Sequence, residues 1–228
     1  MKEVILISGL DSIVLYEMLK SASPNLIPVY FKWGFDIDDA EIKMLPSGTK
    51  IHEVPEWMQF DTDGKLGGDE CINLDGRDTI MMNLVMHIYK PYVIYKGTIA
   101  NDTSYVESHV EFTEKISRTW RLINRHECDI KHPFIKKTKR DIIAYANKLG
   151  IDARDYQYCY NAVGNCGVCN KCRMTRLLSM YSDNPDVEFL RSYLGECQKS
   201  ATKKIGDYLV SGDVVEELTT FLRKYNEN

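Results

Sequence analysis

Short apolar runs alternate with stretches of helical periodicity along the first two thirds of the chain. Glu3 to Ile7 is a β-branched and aliphatic run of the kind that is buried on both faces of a sheet, and Asp11 to Lys20 carries apolar residues at helical spacing. Further strands are predicted at Leu26–Phe31, Lys50–Val54 and Tyr92–Lys96, and further helices at Asp38–Leu45, Asp78–Tyr89, Glu107–Asn124 and Thr138–Leu149. This alternation predicts an α/β fold, a doubly wound and mostly parallel sheet with helices on both faces.

The C-terminal third has a different pattern. The last helix of the α/β region has a threonine cap at Thr138 and ends at Gly150. Beyond it, helical spacing recurs at Arg173–Tyr181, Asp186–Leu194 and Asp213–Tyr225. We therefore predict two regions, an α/β domain over residues 1–150 and a helical region over residues 151–228.

Four of the seven cysteines fall within fourteen residues at the start of this C-terminal region. They are Cys159, Cys166, Cys169 and Cys172. The spacing C-x6-C-x2-C-x2-C fits one structural Zn²⁺ whose tetrahedral coordination four thiolates would complete, and it predicts a zinc-braced helical lobe. An iron–sulfur cluster held by four thiolates is the alternative. Disulfides are disfavoured by the odd number of cysteines and the lack of a secretory segment.

Charge and hydropathy restrict the function classes. The chain of 228 residues has 29 basic and 33 acidic residues and a net charge of −4, so no overall positive field attracts nucleic acid or anionic lipid. No apolar run approaches the roughly 18 residues of a membrane span. These features favour a soluble, cytoplasmic protein that acts on a small molecule, without direct contact to nucleic acid or membrane.

The segment from Ser8 to Ser12 joins the first predicted strand to the first helix, where a parallel sheet binds nucleotides. Its backbone amides can receive an anion, Gly9 permits close approach, and the hydroxyls of Ser8 and Ser12 add donors. Asp11 would orient this loop or help to hold Mg²⁺. The alternative is an ordinary helix start that is capped by Asp11 or Ser12.

This loop resembles the SGGxDS pyrophosphate loop of the N-type ATP pyrophosphatases, which split ATP between its α and β phosphates. Here it reads Ser-Gly-Leu-Asp-Ser and is one residue shorter. The resemblance implies that residues 1–150 form a nucleotide-binding domain of the adenine nucleotide alpha hydrolase type. Four loop residues would bind ATP, namely Ser8, Gly9, Leu10 and Ser12.

Longer segments resemble the 7-cyano-7-deazaguanine synthase family, the nitrile-forming enzymes of the queuosine pathway, from about Lys2 to Leu178. Asp75–Thr79 lies where that family has an Arg-Asn pair, with Asp78 in place of the Asn. Gly97–Asp102 is similar to its glycine-to-aspartate loop, and His132-Pro133-Phe134 with Thr138-Lys139 is similar to its Pro-hydrophobic segment and helix-opening lysine. Because Trp33–Ile37 replaces the family's Tyr-Gly-Gln-Arg-His stretch, the chain is expected to be a divergent member.

The resemblance implies an ATP-dependent C–N ligase that converts 7-carboxy-7-deazaguanine and ammonia to 7-cyano-7-deazaguanine, with ATP, Mg²⁺ and one structural Zn²⁺, as a homodimer. Asp11 would act in catalysis together with the cations Arg77 and Lys139, although a basic run such as Lys136–Arg140 is more often a solvated surface. Trp33 would stack on adenine. Four further residues would bind the deazapurine, namely Gly97, Asp102, Glu107 and His109.

Three alternatives remain open at the level of sequence. The enzyme could stop at 7-amido-7-deazaguanine. It could be another adenylating enzyme of this fold, such as a tRNA thiolation enzyme, although the acidic balance argues against that. It could also be a degenerate zinc protein of this superfamily with a binding role, which the shortened loop suggests.

Overall fold

The computed structural model describes residues 2–34, 38–56, 76–100, 108–156, 177, 180, 185, 187–199 and 212–226. These residues fall into two compact units. The first contains the described residues up to Tyr156, and the second those from Leu177 onward. No helix within the described ranges is long and apolar enough to cross a membrane.

The first unit is built on a parallel sheet. Its strands are β1 (Glu3–Leu6), β2 (Leu26–Lys32), β3 (Lys50–Glu53), β4 (Val93–Tyr95) and β5 (Asp129–Lys131). They lie in the order β3-β2-β1-β4-β5, and each neighbouring pair is parallel. The predicted parallel sheet is thus confirmed. The chain order reverses between β1 and β4, and ligands bind in such sheets at the carboxyl ends of the strands beside that point.

β5 is the strand that the sequence pattern missed. It has three residues, and its first and last, Asp129 and Lys131, are exposed. Its register is set by pairing to β4, with Val93 opposite Asp129 and Tyr95 opposite Lys131. Neither length nor alternation marks so short an edge strand, so its identity depends on tertiary pairing.

Helices connect and follow the strands. In the first unit they are α1 (Leu10–Leu19), α2 (Asp38–Lys43), α3 (Arg77–Tyr89), α4 (Val110–Asn124) and α5 (Lys139–Lys148), followed by a 3₁₀ turn at Ala153–Tyr156. Within the described residues, the helix that was predicted over Glu107–Asn124 begins at Val110. The predicted cap of α5 is present: the Thr138 side chain accepts from the Asp141 amide, and the Asp141 carboxylate accepts from the Thr138 amide.

The core surrounds the central strand on both faces. Val4, Ile5, Leu6 and Ile7 are each at most 5% exposed. Ile5 and Ile7 pack in one cluster with residues of α1 and α5. The methionines of α3 are buried as well. Each fully buried aliphatic side chain here contributes about 1.5–3 kcal/mol.

The second unit has its own small core. Its helices are α6 (Val187–Lys199) and α7 (Gly212–Asn226). The buried side chains are Leu177, Met180, Leu190, Tyr193, Leu218 and Leu222. The four clustered cysteines, and most of the helix predicted over Arg173–Tyr181, lie outside the described residues. Zinc bracing of this unit therefore stays a prediction.

A buried histidine connects three elements of the first unit. His132, 9% exposed, lies directly after β5, with Nε2 2.9 Å from Thr113 Oγ1 of α4 and Nδ1 3.1 Å from Thr98 Oγ1 after β4. Thr113 donates its own proton to the Val110 carbonyl oxygen, so its oxygen accepts from His132 Nε2–H, and Nδ1 accepts from Thr98. Burial, aided by the positive charge of Lys96, lowers the pKa of His132 to about 4.

We predict that this histidine makes the protein acid-sensitive. Its pKa rises from about 4 in the folded state to 6.5 in the unfolded state, so its contribution to stability is complete above pH 6.5 and is lost as the pH falls toward 4. Between pH 7 and pH 5 the loss amounts to about 2 kcal/mol. Urea unfolding of the wild type and of His132→Gln at both pH values measures it. The variant should lose less stability than the wild type on acidification, and equal losses would contradict the prediction.

Candidate functional site

The loop between β1 and α1 has a backbone that requires glycine. Gly9 has φ 134° and ψ −167°, a combination that L side chains rarely adopt. A Cβ atom at Gly9 would meet nothing within 4 Å, so the backbone angle rather than lack of space demands glycine there. The Ser8 amide donates to Ser12 Oγ at 2.8 Å, and Ser12 Oγ donates to the Gly9 carbonyl at 2.8 Å. The hydroxyl of Ser12, a buried residue, thus closes the loop internally.

The first turn of α1 presents backbone amides at the carboxyl edge of the sheet. The first intrahelical bond runs from the Ile13 amide to the Gly9 carbonyl at 3.1 Å. Within the described ranges, the amides of Leu10, Asp11 and Ser12 have no backbone acceptor and Gly9 makes no side-chain cap. Such amides together with about half a positive charge from the helix dipole form an anion site. This is the arrangement that the sequence predicts for a phosphate.

Lys139 from the first turn of α5 reaches this loop. Its Nζ lies 2.6 Å from Asp11 Oδ1 and 2.5 Å from Asp11 Oδ2. The two side chains are 25% and 23% exposed, so the ion pair is shielded from much of the solvent. The structure therefore places Lys139 beside Asp11 rather than on a solvated basic surface. Asp11 contacts an ammonium group with both oxygens and does not cap its own helix.

The segment after β4 touches the same turn. A Cβ atom built on Gly97 would lie 2.7 Å from the Ser12 nitrogen, 2.8 Å from Ser12 Cα and 3.0 Å from the Asp11 carbonyl carbon. Only glycine lets the two backbones approach so closely. The same segment is tied to the start of α5, because the Ala100 amide donates to the Lys137 carbonyl at 2.8 Å. Gly97 and Ala100 thus hold the segment after β4 against the starts of α1 and α5.

We predict that Gly97→Ala disrupts this contact. The added methyl meets backbone atoms that cannot rotate away, so the cost is about 1–3 kcal/mol of unfolding free energy. Gly195→Ala is the matched control, since its Cβ would meet nothing within 4 Å in a helix that favours alanine. Urea unfolding should show a lower midpoint for the first variant and an equal or higher one for the second. A wild-type midpoint for Gly97→Ala would refute the close contact.

A second ion pair lies at the start of α3. Lys96 directly follows β4 and is 6% exposed, and its Nζ is 2.6 Å from Asp78 Oδ2. Arg77, 41% exposed, has its Nε 3.7 Å from Asp78 Oδ1. Arg77 is a residue that the sequence predicts for this site, whereas Lys96 is one that it does not. The sequence signal for Lys96 is its place at the carboxyl end of an apolar strand, directly before a glycine. A lysine buried there needs an acidic partner.

The remaining predicted residues are distributed as follows. Trp33 follows β2 and is 4% exposed, so little of its ring is accessible for stacking on adenine. His109 is exposed and precedes α4 without a capping bond from its side chain. Asp102, Glu107 and the four clustered cysteines lie outside the described residues. The structure thus brings Asp11, Ser12, Gly97 and Lys139 together, and it joins Arg77 to the Asp78–Lys96 pair.

No group of three or more histidine, cysteine or acidic side chains that could hold a metal occurs in the described part of the chain. Asp11, which was predicted to orient the loop or to help hold Mg²⁺, is paired with the Lys139 ammonium. Magnesium binding by Asp11 would require that ion pair to open.

Comparison with known proteins adds a family. The model of "Queuosine biosynthesis protein QueC" matches residues 68–178. The chain is 25% identical over 207 residues to the 7-cyano-7-deazaguanine synthase of Hydrogenovibrio crunogenus, covering 77% of this chain and 89% of that protein. It is 27% identical over 203 residues to the synthase of Cupriavidus metallidurans, covering 76% and 89% of the two chains.

Among solved structures, the chain is similar to the U34-tRNA thiolase NcsA from Methanococcus maripaludis with its 4Fe-4S cluster. The TM-score is 0.46 and the identity 14%, and the match covers 98% of this chain and 72% of that one. The family match and the synthase relatives, by contrast, agree with the motifs along the chain. The chain is thus similar to the QueC family of 7-cyano-7-deazaguanine synthases, at the low identity of a divergent relative.

Proposed function

We propose that the protein is an ATP-dependent ligase that converts 7-carboxy-7-deazaguanine and ammonia to 7-cyano-7-deazaguanine. The observation that carries the proposal is the first turn of α1, whose amides face the carboxyl edge of the sheet beside the Asp11–Lys139 ion pair. In a chain similar to the QueC family, such a turn is suited to receive the pyrophosphate of ATP.

The reaction needs activation because a carboxylate has no good leaving group. A carboxylate oxygen attacks the α-phosphorus of ATP, the bond from that phosphorus to the bridging oxygen breaks, and the electron pair leaves with pyrophosphate. Ammonia then attacks the acyl carbon, and AMP departs with the carboxylate oxygen, which leaves an amide. A second ATP activates the amide oxygen in the same way, and loss of AMP and protons gives the nitrile.

Negative charge grows on the departing pyrophosphate, so donors and cations fixed beside it stabilise the transition state most. The amides of Leu10, Asp11 and Ser12 are held in place by the Ser8–Ser12–Gly9 hydrogen bonds. The Lys139 ammonium would contact both Asp11 and the leaving group. Before ATP binds, Asp11 keeps that ammonium beside the loop. Arg77, partly exposed at the start of α3, is the second cation that we assign to the phosphates.

The deazapurine would bind at the carboxyl end of β4. Gly97, Asp102, Glu107 and His109 belong to the segment between β4 and α4, and the two acids would accept hydrogen bonds from the amino and ring N–H groups of the base. Adenine would lie near the end of β2. Stacking on Trp33 would require that side chain to expose a ring face.

Two metals belong to the proposal. Magnesium would arrive with ATP, because its own ligands are largely phosphate oxygens. The four cysteines from Cys159 to Cys172 form a thiolate set suited to one structural zinc, which would stabilise the C-terminal region and take no part in the reaction. We further propose a cytoplasmic homodimer that binds small molecules rather than nucleic acid directly.

Two other outcomes are compatible with the same family. A synthase with the shorter loop could complete only the first activation and release 7-amido-7-deazaguanine. A degenerate member could bind nucleotide or zinc without turnover. The two differ in whether AMP and pyrophosphate are released.

Isotope transfer tests the proposal. With the substrate carboxylate labelled by ¹⁸O at both oxygens, each of the two activations should place one ¹⁸O in an AMP molecule, and the product should be an unlabelled nitrile. Mass spectrometry measures both. One labelled AMP per amide product would support the shorter reaction, and no release of AMP and pyrophosphate would overturn the proposal.

Variants of Lys139 in the same assay test whether pyrophosphate leaves at the loop between β1 and α1. Lys139→Met should lower kcat about 100-fold, because it removes a cation that acts on the leaving group. Lys139→Arg, which keeps the charge, should recover part of the rate. Lys136→Met is the control, since Lys136 is an exposed neighbour in the same basic run. Equal rates for Lys139→Met and Lys136→Met would show that pyrophosphate leaves elsewhere.

A further inference from the structure

Lys96 is an unusual residue for the place it occupies. It follows directly on β4, between β1 and β5, and is 6% exposed. Its ammonium is 2.6 Å from Asp78 Oδ2, and the Asp78 side chain is 19% exposed. A lysine is rarely buried in this way unless it is paired. The pair joins the carboxyl end of a central strand to the first turn of α3.

Stability alone gives a weak reason for such a pair. Withdrawing an ammonium and a carboxylate from water costs about as much as, or more than, their attraction returns, and apolar side chains of similar size are often as stable. Charges retained at such a cost are typical of functional sites.

The location of Lys96 points to the reacting groups. Gly97, the next residue, touches the backbone of Asp11 and Ser12 in the phosphate-binding turn. Successive side chains of an extended segment project to opposite faces of the sheet. Lys96 contacts Asp78 in the first turn of α3, whereas Lys139 contacts Asp11 in the first turn of α1. The two lysines flank the edge at which the ligands of parallel sheets bind.

We propose that Lys96 is a catalytic cation that contacts the substrate carboxylate during adenylation, and that Asp78 is the residue that positions it. This inference rests on the proposed function, in which a carboxylate must approach an α-phosphate that is also negatively charged. An ammonium beside the carboxylate reduces their repulsion and orients the attacking oxygen. Lys96 keeps its proton throughout. The oxygen–phosphorus bond forms, and the electron pair of the broken bond leaves on pyrophosphate.

Three variants separate catalysis from folding. Lys96→Met removes the ammonium that lies 2.6 Å from the Asp78 carboxylate and should lower the urea midpoint. Asp78→Asn removes that carboxylate and should also lower it. The double variant Asp78→Asn, Lys96→Met removes both charges, so its midpoint should return toward that of the wild type. The double variant keeps the test valid even if a single variant fails to fold.

Across these variants the rate of turnover should not vary in parallel with the urea midpoint. Release of AMP and pyrophosphate should fall about 100-fold in kcat in the stable double variant, with the KM for ATP unchanged, because the lost contact is to the carboxylate in the transition state. Lys96→Arg should recover part of the rate. The control replaces the Glu17–Lys20 pair at the end of α1, whose side chains are 26% and 47% exposed, by Glu17→Gln and Lys20→Met, and should leave the rate unchanged.

A double variant that is as active as the wild type would overturn the role of Lys96 and make the pair purely structural. If the wild type itself releases neither AMP nor pyrophosphate, the proposed function has failed and this inference fails with it. Wild-type turnover combined with a stable, slow double variant supports both.

Discussion

The close approach of Gly97 to the first turn of α1 is the constraint on which the carboxyl edge of the sheet depends. Three hypothetical Cβ contacts of 2.7–3.0 Å to backbone atoms show how little space separates the two segments. The same five-residue stretch, 96–100, pairs with Lys131 and Lys137 through backbone hydrogen bonds. One glycine thus brings the starts of α1 and α5 to the end of β4. The first turn of α1 and the lysine of α5 meet as a result.

Charge at this edge is arranged in pairs that cross between elements. Asp11 in the first turn of α1 binds Lys139 of α5, and Asp78 in the first turn of α3 binds Lys96 after β4. An acidic residue is favourable in a first turn because it faces the positive end of the helix dipole. Each aspartate also holds a lysine at the edge. The pairs are balanced without ligand, and an incoming phosphate or carboxylate would find a positioned cation on either side.

Local signals in the sequence were sufficient for the repeating architecture. The apolar run of β1 and the helical spacing of α1 are local features, as is the capping box at Thr138, and the structure reproduces them. The position of the first turn of α1 could also be predicted, because a strand followed by Ser-Gly and a helix determines where free amides lie. The family resemblance along the chain is confirmed by the QueC match and the synthase relatives.

The sequence did not predict which residues far apart in the chain come into contact. Lys139 and Asp11 are separated by 128 positions, and only the packing of α5 against α1 brings them together. The partner of Lys96 is likewise set by the folding of α3 onto the sheet, and β5 exists because β4 pairs with it. In these cases the sequence shows the residue types but not which residues become spatial neighbours. Burial is a further property that depends on packing: an aromatic residue after a strand suggests stacking on adenine, whereas Trp33 is only 4% exposed.

A crystal structure with α,β-methylene-ATP and magnesium tests the central claim most directly, because the analogue cannot lose pyrophosphate. We predict that its β and γ phosphates lie within hydrogen-bonding distance of the Leu10, Asp11 and Ser12 amides, with the Lys139 ammonium between Asp11 and a phosphate oxygen. Phosphates bound elsewhere, with the Asp11–Lys139 pair and the turn unchanged, would contradict it.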